Sequence, residues 1–257
     1  MKNCTPINVR KKIRNGVILG NTSGLCPGFV QGNLVILPEE FAVDFELFCL
    51  NNPAPCPVLS ISRSGDFSID KLGKDIDIRT DVPEYHIFID GELKDSVPDL
   101  LRYWRDDLVT FVLGCSFSFE DALIENGISI RNIDRQKNVS MYQTSLKAKP
   151  SKLFSGNYVV SMRPILPKDV DRTFQITSKF EKAHGAPIHI GNPEEIGIPD
   201  LSKPDFGDPV EVYENEVPVF WACGVTPQLA IKNAKLPFAI THVPGKMLIT
   251  DKQYKDL

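Results

Sequence analysis

No segment of this 257-residue chain is long and apolar enough to read as a membrane span. The longest mainly apolar stretch, Leu108 to Cys115, is broken by Thr110 and Gly114. It falls far short of the roughly 20 residues that a spanning helix needs. No apolar segment follows the first lysines, so no secretory signal is expected. Six cysteines are scattered along the chain, at 4, 26, 49, 56, 115 and 223, with no Cys-x-x-Cys pair. That excludes a zinc ribbon and a thioredoxin-type dithiol. Without secretory sorting they read as reduced thiols of a cytoplasmic protein, most of them small buried apolar groups. The common nucleotide and hydrolase signatures are missing too. The loop Thr22 to Gly28 has neither the Lys-Ser/Thr ending of a phosphate loop nor the Gly-x-Gly-x-x-Gly of a dinucleotide site, and no Gly-x-Ser-x-Gly elbow occurs. A basic face is also lacking. Lys and Arg total 29 against 33 Asp and Glu, a net charge of −4, which argues against nucleic acid as a partner.

One local exception is the start. Residues 1–16 hold Lys2, Arg10, Lys11, Lys12 and Arg14 and no acid. They read as a basic surface segment, or more sharply as a binder of an anionic substrate. Proline is in excess: 20 residues against an average usage near 5%. Apolar residues at 42% and charged residues at 24% sit near globular averages. A chain of this length can bury a sizeable core without staples.

Periodicity supplies the elements. Phe41, Phe45, Phe48 and Cys49 form a helical stripe after Pro38, and Pro57 to Ser62 reads as a strand. Tyr85 to Asp90 followed by Gly91-Glu92 predicts a strand and hairpin turn. Asp99 to Asp107 suits a helix, Leu108 to Leu113 a strand covered on both faces, Ser118 a helix cap and Ile128 to Ile133 a strand. Residues 145–156 look like a junction between two α/β lobes of one catalytic unit. Beyond it, strands are expected at Tyr158 to Met162, Ala186 to Ile190, Val217 to Ala222, Phe238 to His242 and Met247 to Thr250, with helices after Pro167 and from Gln228 to Lys235. Strands alternating with helices imply an α/β fold with a largely parallel sheet, and the 76–97 stretch implies an added α+β subregion.

One coincidence carries chemistry. Phe111 to Cys115 is followed by Ser118, and Val219 to Cys223 by Thr226. Each is an apolar strand ending on a thiol, with a hydroxyl cap three residues later. Helix starts present free N–H groups and a positive dipole, suited to a carboxylate, and they lower a thiol's pKa. Ser116, Ser118, Gly224 and Thr226, with Arg163 at the end of another strand, are therefore the candidate carboxylate binders. His184, His189 and His242 sit beside Gly or Pro in segments that bound strands, and are the acid–base candidates with Cys115 and Cys223. His86 reads as structural. A metal site from His184, His189, His242 and Asp205 is disfavoured, because the spacing of the first two is odd for a strand and sends the rings to opposite faces. No metal and no cofactor is expected.

Longer stretches carry a resemblance. Thr22 to Gln31, Asp75 to Asp81, Gly114 to Glu120, Val160 to Pro164, His184 to Gly191, Pro204 to Asp208, Val219 to Gln228 and Ile240 to Gly245 resemble a bacterial hydro-lyase family similar to the front region of D-glutamate cyclase proteins. The likeness covers nearly the whole chain. It implies an α/β fold with a three-layer region and a smaller two-layer one, and a carbon–oxygen lyase that removes water. The expectation is a hydro-lyase acting on a small carboxylate such as a hydroxy or amino acid, with His184 or His242 as base and His189, Cys115 or Cys223 as acid. The alternatives are a non-catalytic binder of a carboxylate metabolite and a metal-dependent hydrolase. No membrane partner is expected, and homo-oligomerisation is left open.

Overall fold

A computed structural model describes residues 5–256. The chain opens with helix α1 (Pro6–Arg14), strand β1 (Phe29–Pro38) and helix α2 (Glu39–Asn51). Strands β2 (Val58–Ile61), β3 (Tyr85–Ile89), β4 (Glu92–Val97) and β5 (Leu108–Gly114) follow, then helices α3 (Phe117–Glu125) and α4 (Arg131–Asp134). Next come β6 (Ser140–Lys147), β7 (Asn157–Ile165), α5 (Val170–Thr177), β8 (His189–Ile190) and β9 (Val217–Ala222). Helix α6 (Thr226–Ala234) and strands β10 (Ala239–His242) and β11 (Leu248–Gln253) complete the order.

The strands form two sheets. One has seven strands in the order β2-β5-β1-β10-β3-β4, with β11 also on β1; the other has four, β6-β7-β9-β8. Every pairing is antiparallel. The expected largely parallel three-layer sheet is therefore wrong. Its physical premise failed at the connections. A parallel sheet needs each crossover helix to return to the sheet it left. Here α3 and α4 carry the chain from β5 in the large sheet to β6 in the small one, and α6 carries it back from β9 to β10.

The apolar runs are nonetheless covered on both faces. Along β1, Val35 and Leu37 pack with Phe45, Phe48 and Phe111 on one side. Leu34 and Ile36 pack with Ile78, Tyr85 and Leu100 on the other. A ring pair at 4.8 Å, Phe45 edge-on to Phe111, joins α2 to this sheet. On the small sheet, Phe119 and Leu123 of α3 cover Val219 and Trp221.

The β3–β4 hairpin forms as expected. Asp90 and Gly91 both adopt positive φ, 52° and 78°, the pair of angles that a tight two-residue turn demands. Residues 99–107 form turns, not a helix. The Asp99 carboxylate accepts the Leu101 amide at 3.0 Å, a local bond that competes with helix. Residues 128–133 are not a strand, since α4 begins at Arg131 and Ile128 and Ile130 are buried against α3. Residues 145–156 run from the end of β6 towards β7, its neighbour in the same sheet.

The basic start divides over its described part: Lys11 and Lys12 are exposed, while the arginines turn inward. Arg10 is wholly buried and reaches Asp251 at 2.8 Å and the carbonyls of Ile249 and Lys74 at 2.9 and 2.7 Å. Arg14 pairs with Asp81. Lys2 lies outside the described residues.

Candidate functional site

The chain changes sheet twice, and a thiol marks each exit. Cys115 follows β5 on the way to the small sheet, and Cys223 follows β9 on the way back. Both exits meet at one cavity of about 10 Å³, lined by Cys115, Cys223, Ser116, Gly224, His184 and Asn33 among others. It has room for about one water molecule. Val225 lines it and also lines a groove of about 1190 Å³.

Both helix starts are built alike. The Phe117 amide donates to the Cys115 sulfur, and the Val225 amide to the Cys223 sulfur. Burial nevertheless dominates each thiol. It pushes Cys223 up to about 11 and Cys115 further still. The expectation that a helix start would lower these thiols is reversed: desolvation outweighs the dipole, so both are protonated at neutral pH.

His184 reaches the cavity in an unusual conformation, with φ at 77°. Its Nδ1 lies 2.7 Å from the Ala54 carbonyl. A carbonyl only accepts, so Nδ1 carries the hydrogen and Nε2 keeps the lone pair. Burial lowers its pKa to about 4, and the Arg163 charge adds to that, against the pull of the Ala54 bond. The ring is neutral near pH 7.

Arg163 lies within β7, which continues to Ile165, so it is not at a strand end as expected. It is 1% exposed and already engaged. Its Nε and one terminal nitrogen donate to Glu120 at 3.0 and 2.5 Å, and its other contacts are Ser116 and Ser161 at 3.0 and 3.1 Å. Phe119 and Trp221 rings lie 5.1 and 5.3 Å from the guanidinium carbon. Burial pushes the Glu120 carboxyl up, and Arg163 and Ser23 pull it back. Arg163 thus holds the start of α3 through Ser116.

The two hydroxyl caps act differently from expectation. The N-cap of α3 is Ser116, and Ser118 accepts the Gln31 amide at 3.1 Å. The N-cap of α6 is Val225. Thr226 instead accepts the Val159 amide at 2.9 Å and donates to the Val159 carbonyl at 3.3 Å.

The structure does not bring all three histidines together. His189 is on β8, with Nε2 2.7 Å from the Asn192 carbonyl. His242 is fully buried, and its Nδ1 accepts the Leu34 amide at 3.0 Å. Burial lowers it to about 4. Neither ring lines the cavity. Among the described residues no group of three His, Cys, Asp or Glu is arranged to hold a metal ion.

Asn33 and Glu120 escaped the sequence reading. Asn33 donates to the Gly114 carbonyl at 2.6 Å and lines the cavity. Its signal was present as a polar residue inside an apolar strand. Glu120 was visible only as an acid in the first turn of a helix.

The chain is similar to known proteins over most of its length. The family model described as D-glutamate cyclase matches residues 109–251, which takes in both thiols, His184 and Arg163. A protein of Aliivibrio fischeri named "Putative hydro-lyase" is 59% identical over 244 residues, 95% of this chain and 92% of its own length. Relatives bearing the same name from Aliivibrio salmonicida and Shewanella woodyi are 57% and 55% identical, over 95% and 97% of this chain and 94% and 93% of their own. Among solved structures, a nitrogen repressor-like protein from Methanococcus jannaschii aligns over 97% of this chain and 98% of its own, at 10% identity and a TM-score of 0.39, too weak a likeness to bear on fold or function. No described helix is long and apolar enough to cross a membrane. With more than half of the chain matching the family model and near-full-length relatives above half identity, the chain belongs to the D-glutamate cyclase family.

Proposed function

We propose that the protein is a hydro-lyase acting on a small hydroxylated carboxylate, and that its chemistry lies where Cys115, Cys223 and His184 converge, the cavity there receiving the departing hydroxyl, whose size it matches, and the rest of the substrate entering as the cavity opens. That convergence is the observation that carries the reading. The hydro-lyase name of near-full-length relatives supports it. The resting protonation states suit an elimination. His184 Nε2, neutral and with its lone pair free of the Ala54 bond, takes the proton from the carbon beside the carboxylate. Cys223, the less perturbed of the two thiols, gives its proton to the departing hydroxyl on the neighbouring carbon. The carbon–oxygen bond breaks, a carbon–carbon double bond forms, and water leaves. The imidazolium then returns its proton to the thiolate, restoring both groups. The start of α3, held by Arg163 through Ser116, and the Gly224 turn face the carboxylate with partial positive charge.

Mass-spectrometric detection of water loss across a panel of hydroxy and amino acids tests this. The wild type is expected to convert at least one. His184→Ala and Cys223→Ser are each expected to lose roughly 10²-fold or more in kcat, the usual scale of general acid–base catalysis. Wild-type rates in both variants would sink the assignment.

A further inference from the structure

The cavity and the groove differ in volume by two orders of magnitude, about 10 Å³ against about 1190 Å³. A small hydroxy acid would leave most of the groove empty, since a space of that size exceeds the usual range for even drug-sized ligands. The two spaces are neighbours across a shared wall. Val225 lines both, Pro244 on the groove precedes Gly245 on the cavity, and Phe206 lines the groove while packing in the same apolar cluster as both thiols.

The groove wall has a charge bias. Lys147 and Lys232 line it, both exposed. Neither joins an ion pair among the described residues. Asp205 is the acid on that wall, and its two oxygens already accept the Gln143 backbone amide at 2.8 Å and side-chain amide at 3.3 Å. Two unpaired ammonium groups facing one satisfied carboxylate favour an anion.

We infer that the groove is a binding site for the distal part of an elongated substrate, a hydroxy acid whose far end carries a second anionic group that Lys147 and Lys232 receive. This rests on the lyase reading for the head group and narrows it, because a bare hydroxy acid would use none of the groove. A compact ammonium serves here as a point charge, suited to a phosphate or a carboxylate alike.

Calorimetric titration of the full chain with 4-phosphoerythronate and with erythronate, at fixed ionic strength, tests the inference, since the two probes share a head and differ in the distal anion. The wild type is expected to bind the phosphorylated probe at least tenfold more tightly. The double variant Lys147→Ala/Lys232→Ala, at an unchanged melting temperature, is expected to bind the two alike. A control pair on exposed lysines outside the groove, Lys152→Ala/Lys168→Ala, is expected to keep the preference. Equal affinities in the wild type, no binding of either probe at millimolar concentration, or a preference that survives in the groove variant would each overturn the proposal. Both probes are read by binding alone, so failure here leaves the lyase test standing, and an absence of turnover there leaves this site standing.

Discussion

Two missing side chains shape the cavity. A Cβ on Gly114 would lie 1.6 Å from the Lys182 carbonyl oxygen, a backbone atom two residues before His184. Only a glycine lets the 182–184 segment lie against the end of β5. A Cβ on Gly224 would lie 2.2 Å from the Asn33 side-chain nitrogen, and that nitrogen is held by the Gly114 carbonyl. The two glycines and Asn33 are thus one packed unit behind the thiols. Gly114→Ala is expected to push the His184 segment away from β5. Overpacking of this kind costs about 1–3 kcal/mol, a fall in melting temperature of roughly 2–12 °C for a chain of this size. Gly20→Ala is the matched control, because nothing lies within 4 Å of its Cβ position. Thermal unfolding of both variants decides: equal midpoints would show that the close approach does not matter.

At the level of elements, β5–α3 and β9–α6 are the same device used twice: an apolar strand, a thiol, and a helix that leaves for the other sheet. Thr226 ties the second of them down. Its hydroxyl meets both backbone groups of Val159 on β7, which fastens the start of α6 to the small sheet. Thr226→Val keeps the shape and leaves the buried Val159 amide without its partner. The expected loss is about 1–3 kcal/mol, read as a lower urea midpoint with an unchanged slope, and a midpoint equal to wild type would refute the role. The positions of these elements were legible in the sequence. Periods of two and of 3.6 are local, so β5, β7, β9, α2 and the 85–97 hairpin fall where the residues put them. The thiol–helix coincidence was legible for the same reason. What was not legible was destination. Nothing in Val219 to Gln228 says that α6 returns to a different sheet, and nothing around α2 or α5 says that an antiparallel strand, β5 or β9, will sit between the two strands each helix joins. Asn33 and the Arg163–Glu120 pair were equally hidden, because they depend on strands and helices that are distant in sequence.

For the molecule as a whole, two imidazoles are enclosed as neutral groups. His184 and His242 are both buried, and burial lowers each from 6.5 to about 4. Between those values the unfolded chain binds two protons that the folded chain refuses. Stability is therefore complete above pH 6.5 and falls as pH drops towards 4, by on the order of 3 kcal/mol for each histidine. Glu120 acts in the opposite sense, since burial raises its pKa and the folded chain takes up that proton first. Burial raises Asp121 as well, so the histidine contribution is isolated by comparing a single histidine variant with the wild type. His242 is the cleaner probe, because it stands outside the cavity, with its Nδ1 accepting the Leu34 amide and the Gln228 side chain beside the ring. His242→Asn keeps an acceptor at that position and removes the titration. Urea unfolding at pH 7.5 and pH 4.5 is expected to show a smaller loss of stability in His242→Asn than in the wild type, even where the smaller side chain lowers stability at both. Equal losses in the two proteins would mean that His242 is protonated within the folded chain, and that the interior between the sheets is less closed to water than its packing implies.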